Sequence, residues 1–135
     1  MEAVAAPVHN PAEIETVIAA FAREPDSGLI VLPSVFILTH RNLVTELAAR
    51  HHLPAVYAFR HYAESGGLIS YGNNAADAYR QAATYIDRLL RGAKPADLPV
   101  QAAVKFELIV NLKTAKAMGL AIPESFLVRA DEVIE

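Results

Sequence analysis

The side chains with the most chemistry to offer are His40, His51, His52 and His61, and their spacing works against a shared task. On a helix, His51 and His52 project roughly 100° apart, which keeps both from facing one small metal or proton-transfer site. No HExxH run accompanies them, and no carboxylate stands at a ligand spacing. Glu13 and Glu15 fall in the first turn of one expected helix and Asp77 in that of another, where each favours the helix dipole. The serines have no GxSxG elbow around them. Gly66-Gly67 lacks the glycine pattern that cradles phosphate and reads as a turn. Nothing here calls for a metal, a cofactor or a catalytic residue, and no enzyme is expected.

Binding chemistry is better served. In open parallel sheets, ligands sit outside the carboxyl ends of the strands. That rule selects three stretches expected to be loops: Pro33 to Phe36, Phe59-Arg60, and Tyr71 to Asn73. The expected ligand contacts are Ser34, Phe36, Arg60, Tyr71 and Asn73. Ser34 and neighbouring N–H groups suit a carboxylate, Arg60 suits the same anion, and Phe36 or Tyr71 can stack on an apolar side chain.

The elements that must position these residues follow from periodicity and punctuation. Val4 to Val8 suggests a short strand. Asn10-Pro11 opens a helix, with Ile14, Val17, Ile18 and Phe21 on its apolar face and Pro25, Asp26 and Gly28 after its end. Leu29 to Leu32 is a continuous apolar run, which predicts a strand covered on both faces. A helix from about His40 buries Leu43, Val44, Leu47 and Ala48. Ala55 to Phe59 and Leu68 to Tyr71 supply further strands, separated by a helical turn over His61 to Ser65. Asn73 or Asn74 caps the longest helix, which carries Tyr79, Ile86, Leu89 and Leu90 and stops at Gly92. Residues 92–100 read as an internal linker. In residues 104–110, Lys105 and Glu107 alternate with Phe106 and Leu108, a strand with one partly wet face. Asn111 caps a short helix ending at Gly119, Pro123 opens another, and residues 131–135 add a terminal strand. Strand–helix alternation with buried strands gives an α/β fold around a mostly parallel sheet.

Composition agrees and removes other classes. The chain has 135 residues, is 53% hydrophobic, carries a formal charge of −3 and contains no cysteine. Disulfides and thiolate chemistry are excluded. No basic block offers a nucleic-acid footprint, and no apolar run is long enough to span a membrane. The start, MEAVAAPVHNP, has neither a charged n-region nor a long h-region. Read as written, the chain carries no signal peptide and is expected to stay in the cytoplasm.

Two stretches carry a family resemblance. They are LIVLPSVFILTHRNLVTELAARHHLPAVYAFRHYAESGGLISYG and the run from AYRQAATYIDRLLRGAKPADLPV through NLKTAKAMGLAIPESFLVRADEVIE. Over about residues 8–135 the chain resembles the C-terminal part of ABC transporter substrate-binding proteins of the tryptophan/tyrosine-uptake type. The resemblance implies one lobe plus hinge elements of a type I periplasmic binding protein: a three-layer α/β sandwich, residues 1–135 forming the C-terminal lobe of a two-lobe receptor. It further implies a small ligand such as an aromatic or branched amino acid, delivery to a membrane permease, and a periplasmic setting. The chain departs from the family pattern in having Ser34 for an acid or amide, His61 for Glu, Asn73 for Pro and Ala102-Ala103 for Gln-Pro. Loss of an acid at Ser34 weakens recognition of a ligand ammonium. A lone lobe would also expose the Tyr79–Leu90 helix, so a homodimer is expected. The competing expectation is a structural, oligomerising protein that has kept no ligand.

Overall fold

The computed structural model describes residues 2–102 and 104–135; Ala103, of the Ala102-Ala103 pair, lies outside them. In chain order the elements are α1 (Pro11–Phe21), β1 (Leu29–Val31), α2 (Val35–Thr39), α3 (Arg41–Arg50), β2 (Ala55–Tyr57), α4 (Arg60–Glu64), β3 (Ile69–Asn73) and α5 (Ala75–Leu90). A single 3₁₀ turn (Pro95–Asp97) leads to β4 (Phe106–Asn111), α6 (Leu112–Ala117), α7 (Glu124–Leu127) and β5 (Glu132–Ile134). The five strands form one sheet in sequence order. β1, β2 and β3 run parallel, β4 turns antiparallel to β3, and β5 runs parallel to β4. The α/β class with a mostly parallel sheet flanked by helices is the observed architecture.

Asparagines set three of the helix starts, because their short side chains accept the N–H groups that a helix leaves unpaired. Asn10 Oδ1 accepts from the Glu13 N–H at 3.0 Å, Asn74 from Asp77, and Asn111 from Thr114. Glu13 completes its cap by accepting from the His9 backbone N–H at 2.7 Å, and that bond holds its carboxyl below the ordinary value. Gly92, at φ 97°, closes α5 in the left-handed conformation that glycine adopts without a side-chain clash.

The main core lies on one side of the sheet. Ile14 and Ile18 of α1 and Val44, Leu47 and Ala48 of α3 pack with Ala55, Tyr57 and Tyr62, and Leu29 and Val31 join them from β1. Tyr57 and Tyr62 stack at 5.0 Å between ring centres, and burial pushes the Tyr57 hydroxyl well above its ordinary pKa. A smaller cluster of Leu68, Ala115 and Met118, with Ile69 and Ile122, fills the space beneath α6.

The structure corrects several expectations. Val4 to Val8 forms no strand; no sheet edge pairs with it, and Val4 stays exposed. Val35 and Phe36 belong to the helix α2 and not to a loop. β1 is covered on one face only, since Ile30 is 79% exposed while Leu29 and Val31 join the core. β4 is turned the other way round. Glu107 is the buried residue, at 9% exposure, and its neighbour Phe106 on the opposite face is 49% exposed. Alternation gave the period, but a salt bridge and not polarity decides which face goes inward.

Two apolar surfaces remain without cover among the described residues. Register aligns Ile30, Val56 and Ile69, and one step on Tyr71 and Leu108, along the sheet face opposite the main core. α5 is the other: none of its residues is buried, and its inner side meets the strand-free segment before β4.

Candidate functional site

The parallel strands β1, β2 and β3 point their carboxyl ends the same way, so their exits share one rim. Ser34 follows β1, Phe59 and Arg60 follow β2, and Asn73 ends β3, with Asn74 capping α5 directly after it. Gly72 makes the rim possible at its centre. A Cβ there would collide with the carbonyl of Ala58, so only glycine lets the β2 exit cross β3 this closely. That crossing sets Arg60, the first residue of α4, above β4.

Arg60 is the best-connected side chain of the molecule's rim. Its Nε donates to Glu64 at 2.8 Å, Nη1 to Glu107 at 3.3 Å and Nη2 to Glu132 at 2.7 Å. Asn74 Nδ2 donates to the same Glu107 oxygen at 2.8 Å. The bonds to Glu64 and Glu132 raise the guanidinium pKa above its ordinary value. One cation thus faces three carboxylates, and its charge is compensated before any ligand arrives. The acids come from α4, β4 and β5, so Arg60 ties the rim helix to the two C-terminal strands.

The other expected contacts are placed differently. Ser34 precedes α2 in extended conformation and its side chain makes no cap bond, which leaves the hydroxyl free. Phe36 is half-buried against the main core, 4.5 Å from the His40 ring. Asn73 is half-buried at the end of β3. Tyr71 lies on the uncovered sheet face, 57% exposed and stacked on Phe106 at 5.8 Å. Both rings line an apolar groove of about 440 Å³ with Val56, Leu108, Phe126 and Arg129. A smaller cavity of about 200 Å³ separates α5 from Gln101, Ala102, Val104 and Lys105 and is lined by Asn74, Asp77, Gln81 and Tyr85. Neither cavity is lined by Ser34, Phe36, Arg60 or Asn73. Ser34, Arg60 and Asn73 share the rim; Tyr71 faces the groove.

His61 sits between the rings of Phe59 and Tyr62, at 5.5 and 5.0 Å. Its Nε2 is buried without a hydrogen-bond partner. Burial lowers its pKa, and Arg41 adds to the effect. Such a histidine packs as an aromatic ring between its neighbours; among the described residues no group of three or more His, Asp or Glu gathers to hold an ion. No described helix is long and apolar enough to cross a membrane.

Sequence reasoning missed Glu107, Glu132 and Asn74 as partners of the rim and Phe106 as the partner of Tyr71. Glu107 and Glu132 lie 47 and 72 residues from Arg60, a separation that no local spacing reveals. One signal was available: a lone glutamate within the apolar run Phe106 to Val110 needs a buried cation or amide.

Comparison with known proteins fits this geometry. A model of the ABC transporter substrate-binding protein family matches residues 1–134. A search among curated proteins returned no match. Among solved structures, one is the ABC domain of Streptococcus pneumoniae in complex with L-Trp, at 28% identity and TM-score 0.81 over 94% of this chain and 43% of that one. A conserved domain protein of Vibrio cholerae is similar at 27% identity and TM-score 0.79, covering 91% of this chain and 41% of the other. The fold is shared with a ligand-free, open substrate-binding protein of Clostridium difficile that has adhesive properties, at 21% identity and TM-score 0.68 over 94% and 42%. The chain therefore spans less than half the length of each of these three structures. Matched by the family model over residues 1–134 and sharing the fold of these receptors, the chain belongs to the ABC transporter substrate-binding proteins, a family that binds and does not catalyse.

Proposed function

We propose that residues 1–135 form the C-terminal lobe of a solute receptor that binds an amino acid with an aromatic or branched side chain and passes it to a membrane permease. The similarity to the tryptophan-bound streptococcal protein over 94% of this chain carries the reading. In it, Ser34 and Asn73 supply hydrogen bonds at the rim that they share with Arg60. Arg60 contributes with its attendant acids, which favour a ligand bearing an ammonium as well as a carboxylate. The family setting implies a periplasmic receptor. A single lobe contributes half the contacts and cannot exclude water by closing, so affinity is expected to be weak, on the order of millimolar.

The test is a thermal-shift series with L-tryptophan, L-phenylalanine, L-tyrosine, L-leucine and L-isoleucine. Ligand at about ten times Kd adds about 1.4 kcal/mol of stability, a rise of several degrees. The chain contains no tryptophan, so fluorescence of added L-tryptophan reports binding without background. Ser34→Leu should abolish the shift and leave the unliganded melting temperature unchanged, because the Ser34 side chain is uncommitted. No shift with any of the five at saturating concentration would remove the reading. A second reading, a non-catalytic assembly role through self-association, is favoured by α5, none of whose residues is buried.

A further inference from the structure

His61 brings a proton site to the rim, next in sequence to Arg60. Its ring is half-buried between Phe59, which packs on the main core, and the buried Tyr62. Its Nε2 has no hydrogen-bond partner among the described residues, and those residues already seal the atom from solvent. A neutral ring tolerates this place far better than an imidazolium, whose two N–H donors and charge both need acceptors. The charges that face the ring come from several elements. Burial lowers its pKa, Arg41 at the start of α3 repels the proton as well, and Glu64 of α4 pulls the other way. Glu107 of β4 and Glu132 of β5 are engaged by Arg60. β2 offers only Tyr57, stacked on Tyr62, and β3 only Tyr71, which faces the groove. Glu64 lies three residues ahead on the same helix, a spacing that makes two side chains neighbours. It is also the carboxylate that Arg60 Nε holds at 2.8 Å.

We propose that His61 is a proton-operated latch on the rim: neutral, its ring stays packed between Phe59 and Tyr62; protonated, it turns out to Glu64 and draws that carboxylate off Arg60. Two cations then compete for one acid, and Arg60 loses the contact that fixes its Nε end to α4. The start of α4 loses the ring that joins Phe59 to Tyr62 at the same moment, so acid loosens the rim while the main core stays packed. Turning out takes up one proton. The ratio of turned-out to packed ring therefore rises by at most about tenfold per pH unit below the ordinary histidine value of 6.5, and levels off once the packed ring is itself protonated. The latch belongs to the rim itself and operates with no ligand present, so its failure and a failure of the binding reading are separable.

NMR of the ¹⁵N-labelled full chain, followed as pH falls from neutrality, reads both ends of the latch. The ring signals of His61 report the proton, and the Arg60 Nε–H signal reports the contact with Glu64. The expected result is that His61 titrates below 6.5 and that the Arg60 signal loses its protection from exchange with the same midpoint. In His61→Phe the Arg60 signal should hold over the same range. Arg41→Met removes a positive charge that faces the ring, so it should move both midpoints upward together, a shift that a merely structural role would not produce. An Arg60 signal that stays constant while His61 titrates overturns the latch, as does a loss that persists in His61→Phe. Should His61→Phe fail to fold, the shared midpoint in the wild-type chain and its shift in Arg41→Met decide: midpoints that differ, or that Arg41→Met does not move together, overturn the proposal.

Discussion

Arg60→Met separates a structural tie from a ligand contact, and its cost can be worked out from the surroundings. The guanidinium reaches Glu107, whose side chain is 11% exposed, while the Arg60 side chain itself is 42% exposed. Breaking a fully buried ion pair costs about 3–5 kcal/mol, and breaking an exposed one costs about 0–1 kcal/mol. The Arg60 end is solvent-screened and the 3.3 Å contact is long, so the cost falls between these two ranges. Glu107 also keeps the Asn74 amide at 2.8 Å. The loss should be about 1.5 kcal/mol, or roughly 5 °C in melting temperature for a chain of this size.

Urea unfolding followed by far-ultraviolet circular dichroism measures the loss. A cycle with Glu107→Gln identifies its origin, because glutamine keeps the shape and removes the charge. The double variant should be less unstable than the two single losses added together, with a coupling of about 1 kcal/mol. Single and double changes that add without coupling, with Arg60→Met costing under about 0.5 kcal/mol, would mean that Arg60 is an ordinary surface residue. The view of Arg60 as the tie between α4 and the C-terminal strands would then be wrong.

Other consequences are direct. Burial depresses the folded-state pKa of His61 below the ordinary histidine value of 6.5. The unfolded chain therefore binds the proton more readily, and the stability this group contributes is present above pH 6.5 and is lost as pH falls below it towards the folded pKa. His61→Phe should keep the stack between Phe59 and Tyr62 and flatten that part of the urea-midpoint profile as pH falls from neutrality. Gly72→Ala should cost more than about 3 kcal/mol and yield little soluble protein, because its Cβ would meet the Ala58 carbonyl, a backbone atom that cannot swing aside. Asn74→Ala removes both the α5 cap and a donor to Glu107. It should cost about 1–2 kcal/mol in the same unfolding assay, against a few tenths for Asn73→Ala if Asn73 serves ligand alone.

What sequence reasoning could see was local. Asn10, Asn74 and Asn111 cap helices because a short amide reaches an N–H three residues ahead, a relation written within four letters. Gly92 and Gly119, both at positive φ, end α5 and α6 for a reason equally local. The strand centres at Ile30, Val56, Ser70 and Ile109 follow from apolar runs between such stops. The helix α2 was hidden because Val35 to Thr39 follows Pro33-Ser34 and holds three β-branched residues, a composition that reads as extended or loop. The acids around Arg60 were hidden because only the folded chain brings residues 60, 107 and 132 together.

β1 shows why burial is harder to read than periodicity. Leu29, Ile30, Val31 and Leu32 are apolar on both faces, which in a parallel sheet signals cover on both sides. The structure supplies cover for Leu29 and Val31 and leaves Ile30 and Leu32 exposed. The same mismatch recurs at Val56, Tyr71 and Phe106 on that sheet face and at Tyr79, Ile86 and Leu90 on α5. A 53% hydrophobic chain holds more apolar surface than its two core clusters absorb. Part of the excess is scattered, as at Val4, Val100 and Val128, and the rest gathers on one sheet face and on α5. The rim differs from both: its side chains are charged, mutually paired and partly buried. A change at the rim such as Ser34→Leu should therefore leave both apolar faces as they are, and a change on either face should leave the Arg60 network intact.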